Sequence, residues 1–109
     1  MTTPADSSGG ITQLGDLDPV IHAPARLMIV TALYVVEAAD FVFLRKQTGL
    51  TRGNLSSHLM KLEEAHYVAV EKKFVHRTPR TVIRLTQEGR AAFAKYRRQM
   101  TDTLGSLPK

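Results

Sequence analysis

Between Leu62 and Val68 the spacing of apolar residues in this chain changes from that of a helix to that of a strand. On the near side, Leu55, Leu59 and Leu62 recur at i, i+4 and i+7, one stripe of an amphipathic helix. On the far side, Val68, Val70, Lys72 and Phe74 alternate with Ala69, Glu71, Lys73 and Val75, and "RTVIRLT" resumes a strand after "HRTP". The change predicts a helix followed at once by a β-hairpin with a long basic tip. Pro79 falls in the connection, where a missing backbone donor does little harm. The helix has a marked start: Thr51 suits an N-cap, and Leu50 before it can pack on Leu55 as a hydrophobic staple. With the leucines inward, Gly53, Ser57 and Lys61 point the opposite way, with Asn54 beside them. A surface helix ordinarily carries Lys and Glu there, so this face is unusually bare.

Two helices are predicted before this one. In "HAPARLMIVTALYVVEAAD", Leu27, Val30, Leu33, Tyr34 and Val36 recur near helical spacing, Pro24 suits the first turn, and the stretch is apolar nearly all round. In "DFVFLRKQTG", Asp40 is placed to cap, Phe41 and Leu44 to face inward, and Gly49 to end the helix in a left-handed conformation. After the hairpin, Thr86 caps a last helix that carries Phe93, Tyr96, Met100, Leu104 and Leu107 on one side, a stripe in need of a partner. Residues 1–17, rich in Thr, Ser, Gly, Asp and Pro, read as a flexible tail, and residues 18–109 as the folded part. A chain of 109 residues holds a single core, so one domain is expected. The fold class is mainly α with a small β-hairpin.

Charge narrows the partners. The net charge is +5, and residues 71–84 hold Lys72, Lys73, Arg77, Arg80 and Arg84 against Glu71 alone. A local basic excess attracts polyanions, of which nucleic acid is the commonest, but a solvated strand pair could carry the same excess, and charge alone leaves both readings open. The absence of cysteine excludes thiol catalysis, thiolate metal sites and disulfides. His22, His58, His66 and His76 are dispersed, with no pair at metal-ligand spacing, so no metal is expected. No Ser, His and acid set, glycine-rich phosphate loop or carboxylate pair stands out, so neither enzyme activity nor a cofactor is expected. The N-terminus lacks the basic and apolar runs of a targeting signal and no segment is long enough to span a membrane, which predicts a soluble, cytoplasmic protein.

The order of three helices, basic hairpin and helix resembles a winged helix-turn-helix domain. "GLTRGNLSSHLMKLEEAHYV" looks like the turn and recognition helix of the MarR and ArsR types of bacterial regulator, and "RLTQEGRAAF" looks like the "LT-x-x-G" after their wing. "LDPVIHAPARLMIVTAL" and "HRTPRTVIRLT" resemble more narrowly the small stand-alone winged-helix regulators related to MarR. The resemblance implies a regulator of transcription that binds double-stranded DNA, with Thr51, Arg52, Asn54, Ser56, Ser57, His58 and Lys61 as contacts from the recognition helix. It implies Lys73, Arg77 and Arg80 as contacts from the wing, with only one of Lys72 and Lys73 toward DNA because they alternate faces. A bare helix face suits this role, since close approach to base edges needs slim hydroxyl, amide or cationic side chains. Arg84 is as well suited to pairing with Glu63, Glu64 or Glu88. His66 stands where relatives carry a turn glycine. A homodimer through the first and last helices is expected, as the surplus apolar surface should meet its own copy. MarR relatives often bind aromatic or phenolic ligands near the dimer junction, so a small-molecule effector is allowed, although no residue here marks a pocket. The competing reading is an interaction module whose basic face contacts acidic protein or RNA.

Overall fold

The computed structural model of the protein describes residues 10–109. Its elements are α1 (Thr12–Gly15), α2 (Pro24–Val36), β1 (Ala38–Asp40), α3 (Phe41–Thr48), α4 (Arg52–Glu64), β2 (Val68–Val75), β3 (Thr78–Leu85) and α5 (Gln87–Leu104). The helices and the hairpin wing stand in the expected order, with α1 and β1 as additions. Local chemistry sets the helix boundaries. Asp40, Thr51 and Thr86 are extended residues whose side chains accept from the N–H of Phe43, Asn54 and Gly89, and Gly49 ends α3 at φ 72.

The β-sheet has the order β1-β3-β2. The three residues of β1 are too few to show alternation and are poor strand formers, so sequence does not announce them. They pair because Glu37, at φ 71, turns the chain sharply out of α2 and sets Ala38, Ala39 and Asp40 opposite Arg84, Ile83 and Val82.

The wing is tighter than its sequence suggests. Strands β2 and β3 pair from Val68↔Leu85 to Val75↔Thr78, leaving His76 and Arg77 as a two-residue turn at φ 52 and 68. Two left-handed residues give the turn whose twist matches the strands. Pro79 therefore lies inside β3 and not in the connection. Val75 and Thr78 flank the turn as a bonded pair, so Phe74 and Pro79 face each other as a non-bonded one, and the proline nitrogen points away from β2. On that side β1 reaches only as far as Val82, so no ladder bond is lost.

The core gathers Leu55, Leu59 and Leu62 with Ile29, Val30 and Leu33 of α2, Leu44 of α3, Val68, Ile83 and Leu85 of the sheet, and Phe93 and Tyr96 of α5. The buried arc of α2 is narrower than its composition implies: Leu27 is half-buried, and Tyr34 and Val36 are exposed. The tail expected over residues 1–17 needs correction, because residues 12–15 form α1, Leu14 packs on the core and Leu17 is buried within it. Residues 1–9 of that tail lie outside the described residues. The N-terminal segment packs on α5, where the Thr103 hydroxyl donates to the Gly10 carbonyl at 3.4 Å. Its covering role shifts the buried line of α5: Phe93 and Tyr96 are buried and Met100 half-buried, but Gln99 and Thr103 go under in place of Leu104.

One joint fixes the wing against the helices. After α4, His66 takes the left-handed conformation at φ 65, as its place in the motif implied. The Thr86 N–H donates to the Tyr67 carbonyl at 3.0 Å and its hydroxyl donates to the His66 carbonyl at 2.6 Å. A Cβ on Gly89 would overlap the Tyr67 carbonyl oxygen, so only glycine allows α5 to start this close. The Tyr67 hydroxyl in turn donates to Asp18, whose other oxygen accepts the Val20 N–H at 2.8 Å.

Candidate nucleic-acid interface

Helix α4 buries its three leucines and leaves Thr51, Arg52, Gly53, Asn54, Ser56, Ser57 and Lys61 exposed. At 100° per residue, the line opposite the leucine stripe runs through Gly53 and Ser57 toward Lys61. Nothing lies within 4 Å of a Cβ placed on Gly53, so the face stays open as well as slim. Its Thr51 hydroxyl is engaged, accepting the Asn54 N–H at 3.1 Å.

The other expected contacts divide between two flanks. Arg52 and Ser56 turn toward the wing and line a cleft of 490 Å³ with Met60, Val70, Lys72, Pro79, Arg80 and Thr81. The Arg52 guanidinium lies over the Phe41 ring, 5.9 Å from its centre. Strand alternation decides between the two lysines: Lys72 shares the cleft face with Val70 and Thr81, whereas Lys73 lies on the other face, opposite Arg80. Lys73 sits 3.9 Å from Glu71, Arg84 3.7 Å from the same carboxylate, and Arg80 3.9 Å from Asp40. These pairs are long and exposed, so they hold their cations weakly. Arg84 pairs with none of Glu63, Glu64 and Glu88, and Arg77 at the turn has no acidic partner among the described residues.

On the opposite flank a residue enters that sequence reasoning missed. Asn54, His58 and Lys61 make a polar line beside the leucines, and Arg26 of α2 reaches it, its guanidinium 3.1 Å from His58 Nδ1. The same guanidinium donates to the Val20 carbonyl at 2.6 Å and has no acidic partner among the described residues. Its signal in sequence was a lone arginine in the first turn of an otherwise apolar helix, where a cation needs a reason. Half-burial, and then the charges of Arg26 and Lys61, hold the His58 ring below its ordinary pKa of 6.5. His58 thus bridges helix to helix as an acceptor while it stays at the edge of the bare face.

No group of three or more His, Asp or Glu suited to a metal ion occurs among the described residues, and no helix there is long and apolar enough to cross a membrane. What remains is a slim polar helix face with cations on both sides and a basic hairpin beside it. The family model for the winged helix DNA-binding domain matches residues 25–104.

The chain belongs to that family. Among proteins of known sequence it is 36% identical over 77 residues to an uncharacterised protein of Methanocaldococcus jannaschii, a match covering 71% of this chain and 84% of that one. Among solved structures it is similar to a transcriptional regulator homologue of Pyrococcus horikoshii, with 31% identity, a TM-score of 0.73 and 81% and 90% of the two chains covered. It shares its fold with BpsR of Bordetella bronchiseptica, whose DNA binding is regulated by 6-hydroxynicotinic acid. That likeness has a TM-score of 0.61 at 20% identity, covering 89% and 76% of the chains. The protein is a winged-helix, DNA-binding transcriptional regulator.

Proposed function

We propose that the protein is a sequence-specific regulator that acts by occupying an operator in double-stranded DNA as a homodimer. The observation that carries this reading is the open face of α4, Gly53, Asn54, Ser57 and Lys61, flanked by cations from α2 and the wing. In this reading the helix enters the major groove, where Asn54 and Ser57 read base edges and Arg52 and Lys61 meet phosphates or guanines. Thr51, Ser56 and His58 border the same groove, and Arg77 and Arg80, with Lys72 in place of Lys73, follow the backbone beside it. A protein-binding face would instead be expected to present large anchors, and α4 has only Met60 exposed among large apolar residues. Mobility shift on the protein's own upstream DNA, with unrelated duplex and RNA as competitors, is the test. A shifted band that unrelated duplex fails to displace supports the operator reading. Displacement by RNA or any duplex alike would mean a general polyanion or interaction module.

A small-molecule effector belongs to the proposal, by analogy with the 6-hydroxynicotinic acid of BpsR. A groove of 610 Å³ between α2 and α3, lined by Leu27, Met28, Thr31, Val35, Val36, Phe43 and Gln47 among others, is large enough for one. No lining side chain is charged, so a neutral aromatic molecule fits it better than a carboxylate such as 6-hydroxynicotinic acid. A thermal-shift screen against small aromatic metabolites is the check, with a Val35→Glu variant expected to lose any stabilisation found.

A further inference from the structure

We propose that Phe74, with Pro79 opposite it, is an apolar contact for the deoxyribose rim of the DNA minor groove. The proposal rests on the DNA-binding reading above. Phe74 is 78% exposed, more than any other large hydrophobic side chain among the described residues. A phenyl ring mostly held in water contributes little to the fold by burial, which leaves most of its apolar surface free for a contact outside the chain. Its partner across the hairpin is Pro79, in a non-bonded pair where side chains approach most closely, so ring and pyrrolidine form one apolar surface.

The surroundings select the partner. Lys72 lies on the same face, Arg77 stands in the turn, Lys73 lies on the reverse face, and Arg80, opposite Lys73, also borders the cleft. A second copy of this wing would bring the same cations against them, which like charges oppose. A sugar-phosphate backbone supplies what the patch lacks: phosphates for the cations and C–H faces of deoxyribose for the ring. Phe74 also shares its face with Val70, Lys72 and Thr81, which line the cleft beside Arg52 and Ser56 of α4, so ring and recognition helix address one duplex.

Dimensions place the contact at the rim. The two strand axes are about 4.8 Å apart, and once the radii of the backbone atoms are added the ribbon is broader than a minor groove about 6 Å wide, so the strands stay outside it and the patch meets the rim. Phe74 is two residues behind His76, about 6.6 Å along the strand, which sets the ring over the sugars while Arg77 at the turn reaches the phosphates beside them.

Such a contact is neutral, so it is separable from the arginines by its salt dependence. Fluorescence anisotropy on labelled duplex, at several salt concentrations, would compare wild type, Phe74→Ala, Phe74→Leu and the double variant Arg77→Ala, Arg80→Ala. Phe74→Ala should bind specific and non-specific duplex about tenfold more weakly with the salt slope unchanged, and Phe74→Leu should recover most of the loss. At 78% exposure the ring can be removed without unfolding the wing. An unaltered affinity in Phe74→Ala, while the arginine variant weakens binding, overturns the contact and leaves the DNA reading standing. Failure of wild type to bind any duplex overturns the reading beneath it. Brightening of a 2-aminopurine base under the wing would mean that the ring unstacks a base step, which overturns the rim placement. A change in sedimentation on Phe74→Ala without a change in DNA affinity would assign the ring to a protein contact instead.

Discussion

Ser57 and Asn54 differ from the cations around them in what their loss should change. Both are exposed on α4 and lie off the leucine stripe, so replacing either by Ala should leave the melting temperature almost unmoved. A hydroxyl or amide that reads a base edge contributes to the ratio of specific to non-specific affinity. Ser57→Ala is therefore expected to lower that ratio; an equal loss on both duplexes, or none on either, would remove Ser57 from base readout. Tyr67 illustrates the other kind of residue, whose effect is on the fold alone. Its hydrogen bond to Asp18, then partial burial, then the charges of Asp18 and Glu88, push its phenol up from 10.0 to about 12. Because the folded-state value is the higher one, the stabilisation is complete below pH 10 and is lost as pH rises from there toward about 12. Tyr67→Phe should cost about 1.5–3 kcal/mol near neutral pH, the range for a hydrogen bond to a charged group. Melting curves at pH 8 and pH 11 test this: the gap between wild type and variant should narrow at the higher pH.

Elements show a similar division between what is local and what is not. The caps at Asp40, Thr51 and Thr86, the left-handed Gly49 and His66, and the stripe of Leu55, Leu59 and Leu62 could all be read in sequence, because each depends on residues within one or two turns of itself. Strand β1 could not, since it exists only where Arg84, Ile83 and Val82 offer an edge. Helix α1 depends likewise on α5, and the role of Arg26 on His58, thirty-two residues away. The wing is a mixed case: its strands were legible, but a tip of His76 and Arg77 alone was not, because Pro79 reads as a loop residue until the register makes its nitrogen face outward. That short tip sharpens what the wing arginines should do. Arg77 has no acidic partner among the described residues and Arg80 only a long exposed one, so both charges are available to phosphate. If each neutralises one phosphate, Arg77→Ala, Arg80→Ala should flatten the slope of log affinity against log salt by roughly 1.8, at about 0.9 per contact. Specific and non-specific duplex should lose affinity nearly together. An unchanged slope in a folded variant would detach the wing from the backbone, and a collapse of specificity would put one arginine into the minor groove.

At the scale of the whole molecule, the apolar surface that the domain leaves uncovered points to pairing of two copies. Part of the α5 stripe is covered by the chain itself, through α1 and α2, which leaves Leu104 and Leu107 exposed at 46% and 55%. Ile11, at 76%, stands next to the Gly10 carbonyl that meets Thr103, so these side chains lie at one end of the molecule. Farther up the same helix Arg90 and Arg97 lie over the Tyr34 ring at 5.1 and 5.5 Å, and Tyr34 meets Phe93 edge-on. The apolar end, away from these cations, suits a two-fold interface, in which each patch meets its own copy. Pairing there would set two recognition helices about one turn of duplex, roughly 34 Å, apart, and so require an inverted-repeat site. We expect sedimentation equilibrium to give a dimer at micromolar concentration and the double change Ile11→Lys, Leu104→Lys to give a monomer with an unchanged circular dichroism spectrum. That monomer should still bind a single half-site at wild-type monomer strength but lose the added affinity of the paired site, because the second contact would no longer be tethered to the first. Wild type that sediments only as a monomer, or a variant that keeps the full affinity for the inverted repeat, would show that each domain acts alone on its DNA.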